Sequence, residues 1–196
     1  EEATSYFADK VGRDKMLENL RLIADILRSK ARDIPASKAY SKLLEEYPDT
    51  LESPNFALGL HDSQNRLGRT EHAVKVMEEA CERYGEKSSW AEKFKETKPA
   101  ELKAAQNNLQ TEAEKAALFL HQSAQKSKNK NAYVYALRLY NAILSGFPNH
   151  PSRKNIAFYR AEVYYEQNKF IDAASSYMEA AKVPPKDKRT DEATVS

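Results

Sequence analysis

One alternation of small and large residues recurs along the 196-residue chain, and twice it recurs after 37 residues. The clearest copy runs from Lys154, with Ala161, Tyr164, the turn Asn168-Lys169-Phe170, Ala173, Tyr177, Ala180 and Pro185 at positions 8, 11, 15 to 17, 20, 24, 27 and 32 of a 34-residue frame. The same frame set at Ala117 collects Ala124, Tyr133, Ala136, Tyr140, Ile143 and Pro148. Set at Pro54 it collects Leu60, Gly68, Ala73, Met77 and Ala80, with His61 where a small residue is usual. Set at Leu17 it collects Leu20, Ile23, Ala24, Leu27, Ala36, Tyr40, Leu43 and Pro48. A period of this size means supersecondary units that cannot bury their apolar faces alone and must stack on one another.

The local pattern makes each unit a helix pair. In Leu17–Ser29 the residues Leu17, Leu20, Ile23, Ala24 and Leu27 recur at three and four, and Ala136, Leu139, Tyr140, Ile143 and Leu144 do the same further on. That spacing lines one face of a helix and excludes strands. Gly68 and Asn168 sit in short polar turns and suit the left-handed conformation that ends a helix, while Pro54 suits a helix start. Charged residues make up 31% of the chain and glycine only 5 positions, which also favours long helices over a sheet of tight turns.

Starts at 54 and 117 are too far apart to be neighbours, so residues 88–116 are an insert. Ser89 and Glu92 are spaced as a capping box for a short helix, and Trp90 is expected to anchor that helix to the hairpins. Pro99 then opens a second helix on which Leu102, Ala105, Leu109, Ala113, Ala116, Leu120 and Ala124 share a face. Unbroken, it would be about 45 Å long at 1.5 Å per residue; Asn107-Asn108 is where it could kink.

The frame as a whole resembles the tetratricopeptide repeat. The resemblance implies an all-α fold, a right-handed superhelix of stacked antiparallel hairpins, with four repeats near 17–50, 54–87, 117–150 and 154–185 and a flexible tail over 186–196. Members bind partners on a concave wall drawn from frame positions 2, 5, 9 and 12. Carried onto this chain, those are Glu18, Arg21, Asp25 and Arg28; Asn55, Leu58, Asp62 and Asn65; Leu118, His121, Gln125 and Lys128; and Asn155, Phe158, Glu162 and Tyr165. The mixture suits adaptable recognition of a protein or peptide. Acids at Asp25, Asp62 and Glu162 depart from the basic clamp with which chaperone-binding members hold a terminal carboxylate. The stretch FPNHPSRKNIAFYRAEVYYEQNKFIDAA is similar to units of bacterial cell-envelope proteins, which implies a periplasmic or envelope-associated place over a cytoplasmic one. The expected function is a non-enzymatic scaffold; the alternative is a structural segment of a longer array that self-associates through its last repeat, where Ile171, Ala174, Met178 and Ala181 face outward with no capping helix after them.

Other chemistry finds little footing. His61, His72, His121 and His150 share no ligand-like spacing, and no phosphate loop, nucleophile elbow or Cys/His pair occurs, so no catalytic residue, metal or cofactor is expected. At His61 two readings stand open, looser packing or a polar contact toward the groove. Cys81 sits in an amphipathic run where a buried thiol is the ordinary outcome. The net charge of +2, with both signs interspersed, argues against nucleic acid or an anionic membrane surface as partner. Lys126, Lys128 and Lys130 form a solvated turn, and Lys186, Lys188 and Arg189 a solvated tail. No stretch approaches membrane-spanning length, so no insertion is expected. Opening on Glu1-Glu2-Ala3 without Met, the chain reads as a processed product or an excised piece.

Overall fold

A computed structural model describes residues 12–182, and all regular structure among them is helical. The helices are α1 (Arg13–Ser29), α2 (Asp33–Glu46), α3 (Ser53–Arg66), α4 (Thr70–Tyr84), α5 (Ser89–Lys95), α6 (Pro99–Ser127), α7 (Lys130–Gly146), α8 (Arg153–Glu166) and α9 (Phe170–Lys182). Most helices pack on the next in sequence, and the two halves of the chain join where α3 meets α6 and α4 meets α7. This sequential packing is compatible with an α-solenoid. Pro185 and the 186–196 tail lie outside the described residues.

Three of the hairpin turns close with one set of backbone bonds. At the α3–α4 turn, Leu67, Gly68 and Arg69 donate N–H to the carbonyls of Ser63, Asn65 and Gln64, and Gly68 takes a positive φ of 72°. Gln167, Asn168 and Lys169 repeat those bonds to Val163, Tyr165 and Tyr164 at the α8–α9 turn, with Asn168 at 59°. Lys30, Ala31 and Arg32 repeat them again to Ile26, Arg28 and Leu27, but here the left-handed residue is Ala31 at 53°. Gly and Asn tolerate that region and alanine is strained in it. The connections between hairpins also match: Tyr47 and Phe147, each before a proline, close α2 and α7 on the carbonyls of Leu43 and Ile143. A residue preceding proline is pushed toward extended backbone, and the helix stops there.

Small residues set the distances between helices. A Cβ on Gly59 would lie 2.4 Å from the Tyr40 ring, so α2 rests its tyrosine directly on the α3 backbone. Gly85 and Gly146 bring the ends of α4 and α7 together: a Cβ on Gly146 would lie 2.4 Å from the Cys81 carbonyl oxygen, and the Glu86 N–H donates to the Gly146 carbonyl at 2.8 Å. Arg138 of α7 spans the same junction with a two-pronged bond to Glu78 of α4. Arg153 and Arg160 of α8 both grip Glu179 of α9.

The insert is bound at two levels. Trp90 is buried, donates its indole N–H to the Thr50 carbonyl at 2.8 Å, and meets Tyr84 and Phe94 edge-on. The cap of α5 is Ser88 instead of Ser89: its hydroxyl accepts the Ala91 N–H at 3.1 Å, so no Ser89–Glu92 box forms. Helix α6 passes through Asn107-Asn108 unbroken over 29 residues. The weak helix propensity there is offset by contact, since the Asn108 amide donates to Asn55 of α3 at 2.9 Å.

Two large apolar residues of the repeat frame face outward. Ile23 is half exposed on the outer side of α1, with Leu22 and Ile26 beside it. Phe170, in the α8–α9 turn of the frame, is also exposed, and packs edge-on against Tyr165 at 5.5 Å. Both lie on the first and last hairpins among the described residues, where only one side has a described helix to fill against.

Candidate functional site

Helices α1, α3 and α6 wall an open groove of about 670 Å³. Arg21, Asp25 and Arg28 come from α1 at spacings of three and four; Asn55, Leu58, Asp62 and Asn65 come from α3 in the same way. Seven of the sixteen residues that the repeat frame places on the concave wall therefore share one cavity. The third wall, on α6, is Asn108, Glu112, Lys115, Ala116 and Phe119.

The groove's charges are arranged in pairs. Tyr40 donates its hydroxyl to Asp25 at 2.6 Å, and burial first, then that hydrogen bond, pushes its pKa far above the ordinary tyrosine value. Arg21 faces Glu52 at 3.4 Å, Arg28 faces Asp62 at 3.9 Å, Lys115 faces Glu112 at 2.7 Å, and Arg66 bridges Asp62 and Asp33 at 2.6 and 3.2 Å. The Arg21–Glu52, Arg28–Asp62, Arg66–Asp62 and Lys115–Glu112 pairs are solvent-accessible and each contributes little to stability, so a ligand carrying either sign can compete for them at low cost.

His61 belongs to this wall. Its Nδ1 donates to the Ala73 carbonyl at 2.9 Å, which leaves Nε2 to accept from the Asn65 amide at 2.9 Å. Burial holds its pKa below the ordinary histidine value, with the Ala73 bond opposing. The ring is thus a neutral, fixed hydrogen-bond link between α3 and α4, its polar contacts running to the Ala73 backbone and to Asn65.

A second cavity of about 490 Å³ continues past Phe119. Val74, Leu120, Ala132 and Tyr135 line it, and it shares His61, Asn65, Ala116 and Phe119 with the first. Phe119 is 72% exposed and stands as a ridge between the two. Sequence reasoning missed it. The α6 wall follows 108, 112, 115, 116, 119 and 123, one continuous helical face, whereas the repeat frame selects 118, 121 and 125.

That offset corrects the assignment of His121. Two residues from Phe119 is about 200° around a helix, and His121 points into the core at 4% exposure, with Nδ1 3.1 Å from the Tyr140 hydroxyl. It offers no open wall to a partner. Gln125 is exposed but lines neither cavity. Asn155, Phe158, Glu162 and Tyr165 lie along one face of α8, apart from both cavities.

Cys81 is fully buried and burial pushes its thiol up to about 12, so it is not a nucleophile at neutral pH. Among the described residues no group of three or more His, Cys, Asp or Glu is placed to share a metal ion, and no helix is long and apolar enough to cross a membrane. Compared with protein-family models and with curated proteins the chain matches none.

Proposed function

We propose that the chain is a non-enzymatic interaction scaffold of the tetratricopeptide type, four repeats wound as a right-handed superhelix, which holds an extended segment of a protein partner in the groove between α1, α3 and α6. The observation that carries this reading is the convergence of Arg21, Asp25, Arg28, Asn55, Leu58, Asp62 and Asn65 on one open cavity large enough for several side chains. Paired, accessible charges on its walls and the ridge of Phe119 suit a segment of mixed polarity with one apolar anchor. The bacterial cell envelope is the place of action we favour, on the resemblance of the 147–174 stretch.

Selection of a random peptide library on the immobilised protein, followed by anisotropy titration of an enriched peptide, tests the reading. Leu58→Trp, which fills the groove, and Phe119→Ala, which removes the ridge, should each weaken binding at least about tenfold, as loss of a hot-spot contact does. Equal affinity in both variants would remove the groove from the account.

A second reading has its own observation. Ile171 is 88% exposed and Met178 59% exposed on α9, while Leu22, Ile23 and Ile26 are about half exposed on α1. Apolar faces at both ends suit stacking onto further repeats or another copy. Sedimentation over a wide concentration range decides it, since a strict monomer throughout excludes self-assembly.

A further inference from the structure

The rings of Tyr133, His121, Tyr159, Phe158 and Tyr177 make a continuous edge-to-face run through α7, α6, α8 and α9, with successive centroids 6.1, 6.3, 6.1 and 5.5 Å apart. It starts in the core and surfaces at Phe158, which is 46% exposed. Glu162 follows Phe158 by one turn and Glu166 by two, so both carboxylates stand on the same side of α8.

These carboxylates differ from the acids around them. Glu179 is held by two arginines, and Glu52 and Asp62 of the α1–α3 groove each face an arginine, whereas Asp25 there takes a tyrosine hydroxyl as Glu162 does. Among the described residues, no Lys or Arg nitrogen lies within 4.0 Å of Glu162 or Glu166; Glu162 accepts only the Tyr177 hydroxyl. Both bear electrostatically on His121, and Glu166 on Tyr133. In those two residues His121 Nε2 and Tyr133 Oη are buried and have no hydrogen-bond partner among the described residues, at 4% and 5% residue exposure. Buried polar atoms are nearly always satisfied, so these two, on rings 6.1 Å apart beneath α8, leave hydrogen-bonding capacity unused next to the acidic face.

We propose that this face of α8 binds a basic side chain of a partner protein, its cationic head against the Phe158 ring and paired with Glu162 and Glu166. Aromatic faces carry negative potential and attract cations within about 6 Å of the ring centre. Two carboxylates with no basic partner among the described residues add a field of the same sign, and an anionic ligand would meet repulsion from both. The inference rests on the scaffold reading only in taking the cation to belong to a partner; the site itself is separate from the α1–α3–α6 groove.

The test uses the whole chain and three blocked pentapeptides, Gly-Gly-Lys-Gly-Gly and its Arg and Gln counterparts, followed by amide chemical shifts. The Lys and Arg peptides should give saturable shifts on α8 and the Gln peptide none. Glu162→Gln keeps an acceptor for the Tyr177 hydroxyl and should weaken Lys-peptide binding about fivefold, as should Phe158→Ala. Leu58→Trp should leave it unchanged. Shifts of equal size with the Gln peptide, no saturable shift with any peptide, or unaltered binding in Glu162→Gln would each overturn the proposal. Because the groove peptide responds to Leu58→Trp and the basic peptide to Glu162→Gln, either reading can fail alone.

Discussion

Replacing a helical glycine by alanine ordinarily stabilises a helix by up to about 1 kcal/mol, yet Gly146→Ala should destabilise this protein. The new Cβ would lie 2.4 Å from the Cys81 carbonyl oxygen and 3.0 Å from its carbon, both backbone atoms that no side-chain rotation can move. Restoring an ordinary contact requires α4 and α7 to separate by about 1 Å, which also strains the Glu86 N–H bond to Gly146 and the Arg138–Glu78 bridge. Overpacking of this kind costs about 1 to 3 kcal/mol. A 2.4 Å approach to fixed backbone falls in the upper part of that range, about 2 to 3 kcal/mol; with about 1 kcal/mol of propensity gain subtracted, a net loss of about 1 to 2 kcal/mol remains, or a Tm lower by about 2 to 8 °C for a chain of this size. Thermal and urea melts followed by far-UV circular dichroism measure the total. Amide exchange along α4 and α7 locates it, which matters in a stacked array whose parts can open separately. Cys81→Ala keeps the offending carbonyl and should give no rescue. A Tm equal to or above wild type in Gly146→Ala would refute the close-approach argument.

Three further outcomes follow from particular residues. Ala31→Gly should stabilise by about 0.5 to 1 kcal/mol, because the strain of alanine at φ 53° exceeds the added entropy of glycine in the unfolded chain; a lower urea midpoint would contradict it. Trp90→Ala should cost about 3 to 5 kcal/mol as a buried anchor is lost, with amide exchange accelerating first in α5; exchange unchanged there would show that the tryptophan does not hold that helix. Burial lowers the pKa of His61, His121 and His150, so the unfolded chain takes up protons first. Stability should be flat above the ordinary histidine value of about 6.5 and fall as pH drops below it toward the lowered values. Urea midpoints taken on both sides of that value check the sign, and a midpoint rising on acidification would contradict it.

Where side-chain size decides packing, the sequence was a sufficient guide. Ala24, Ala36, Ala73, Ala136, Ala161 and Ala173 are all buried, and Gly68 and Asn168 take the left-handed turns their chemistry suits. What could not be read is set by neighbours. Ala31 gives no turn signal, yet it occupies the same bonded turn as Gly68 because the packing of α1 on α2 demands it. Ile23 and Phe170 match the repeat frame and still face outward, since a frame records which residues could be buried and not whether an adjoining helix is there. On the candidate site, α1 and α3 follow the frame closely. Helix α6 does not: its buried line runs through Leu109, Ala113, Ala117 and Ala124, which puts Phe119 in the groove and His121 in the core.

The unbroken course of α6 has a consequence for how this chain tolerates changes of length. Eighteen residues lie between its start at Pro99 and Ala117, where the repeat pattern resumes, and that is about five turns at 3.6 residues per turn. Whole turns return a helix to its starting angle, so Leu102, Ala105, Leu109, Ala113 and Ala117 stay on one buried line. Removing seven residues before Ala117, about two turns, would shorten the strut and keep its face; removing two would swing Asn108 and Glu112 through about 200° and turn the groove's third wall toward the core. Insertions and deletions here are graded by angle more than by size, and a homologue with a shorter α6 should differ from this chain by near-multiples of a turn.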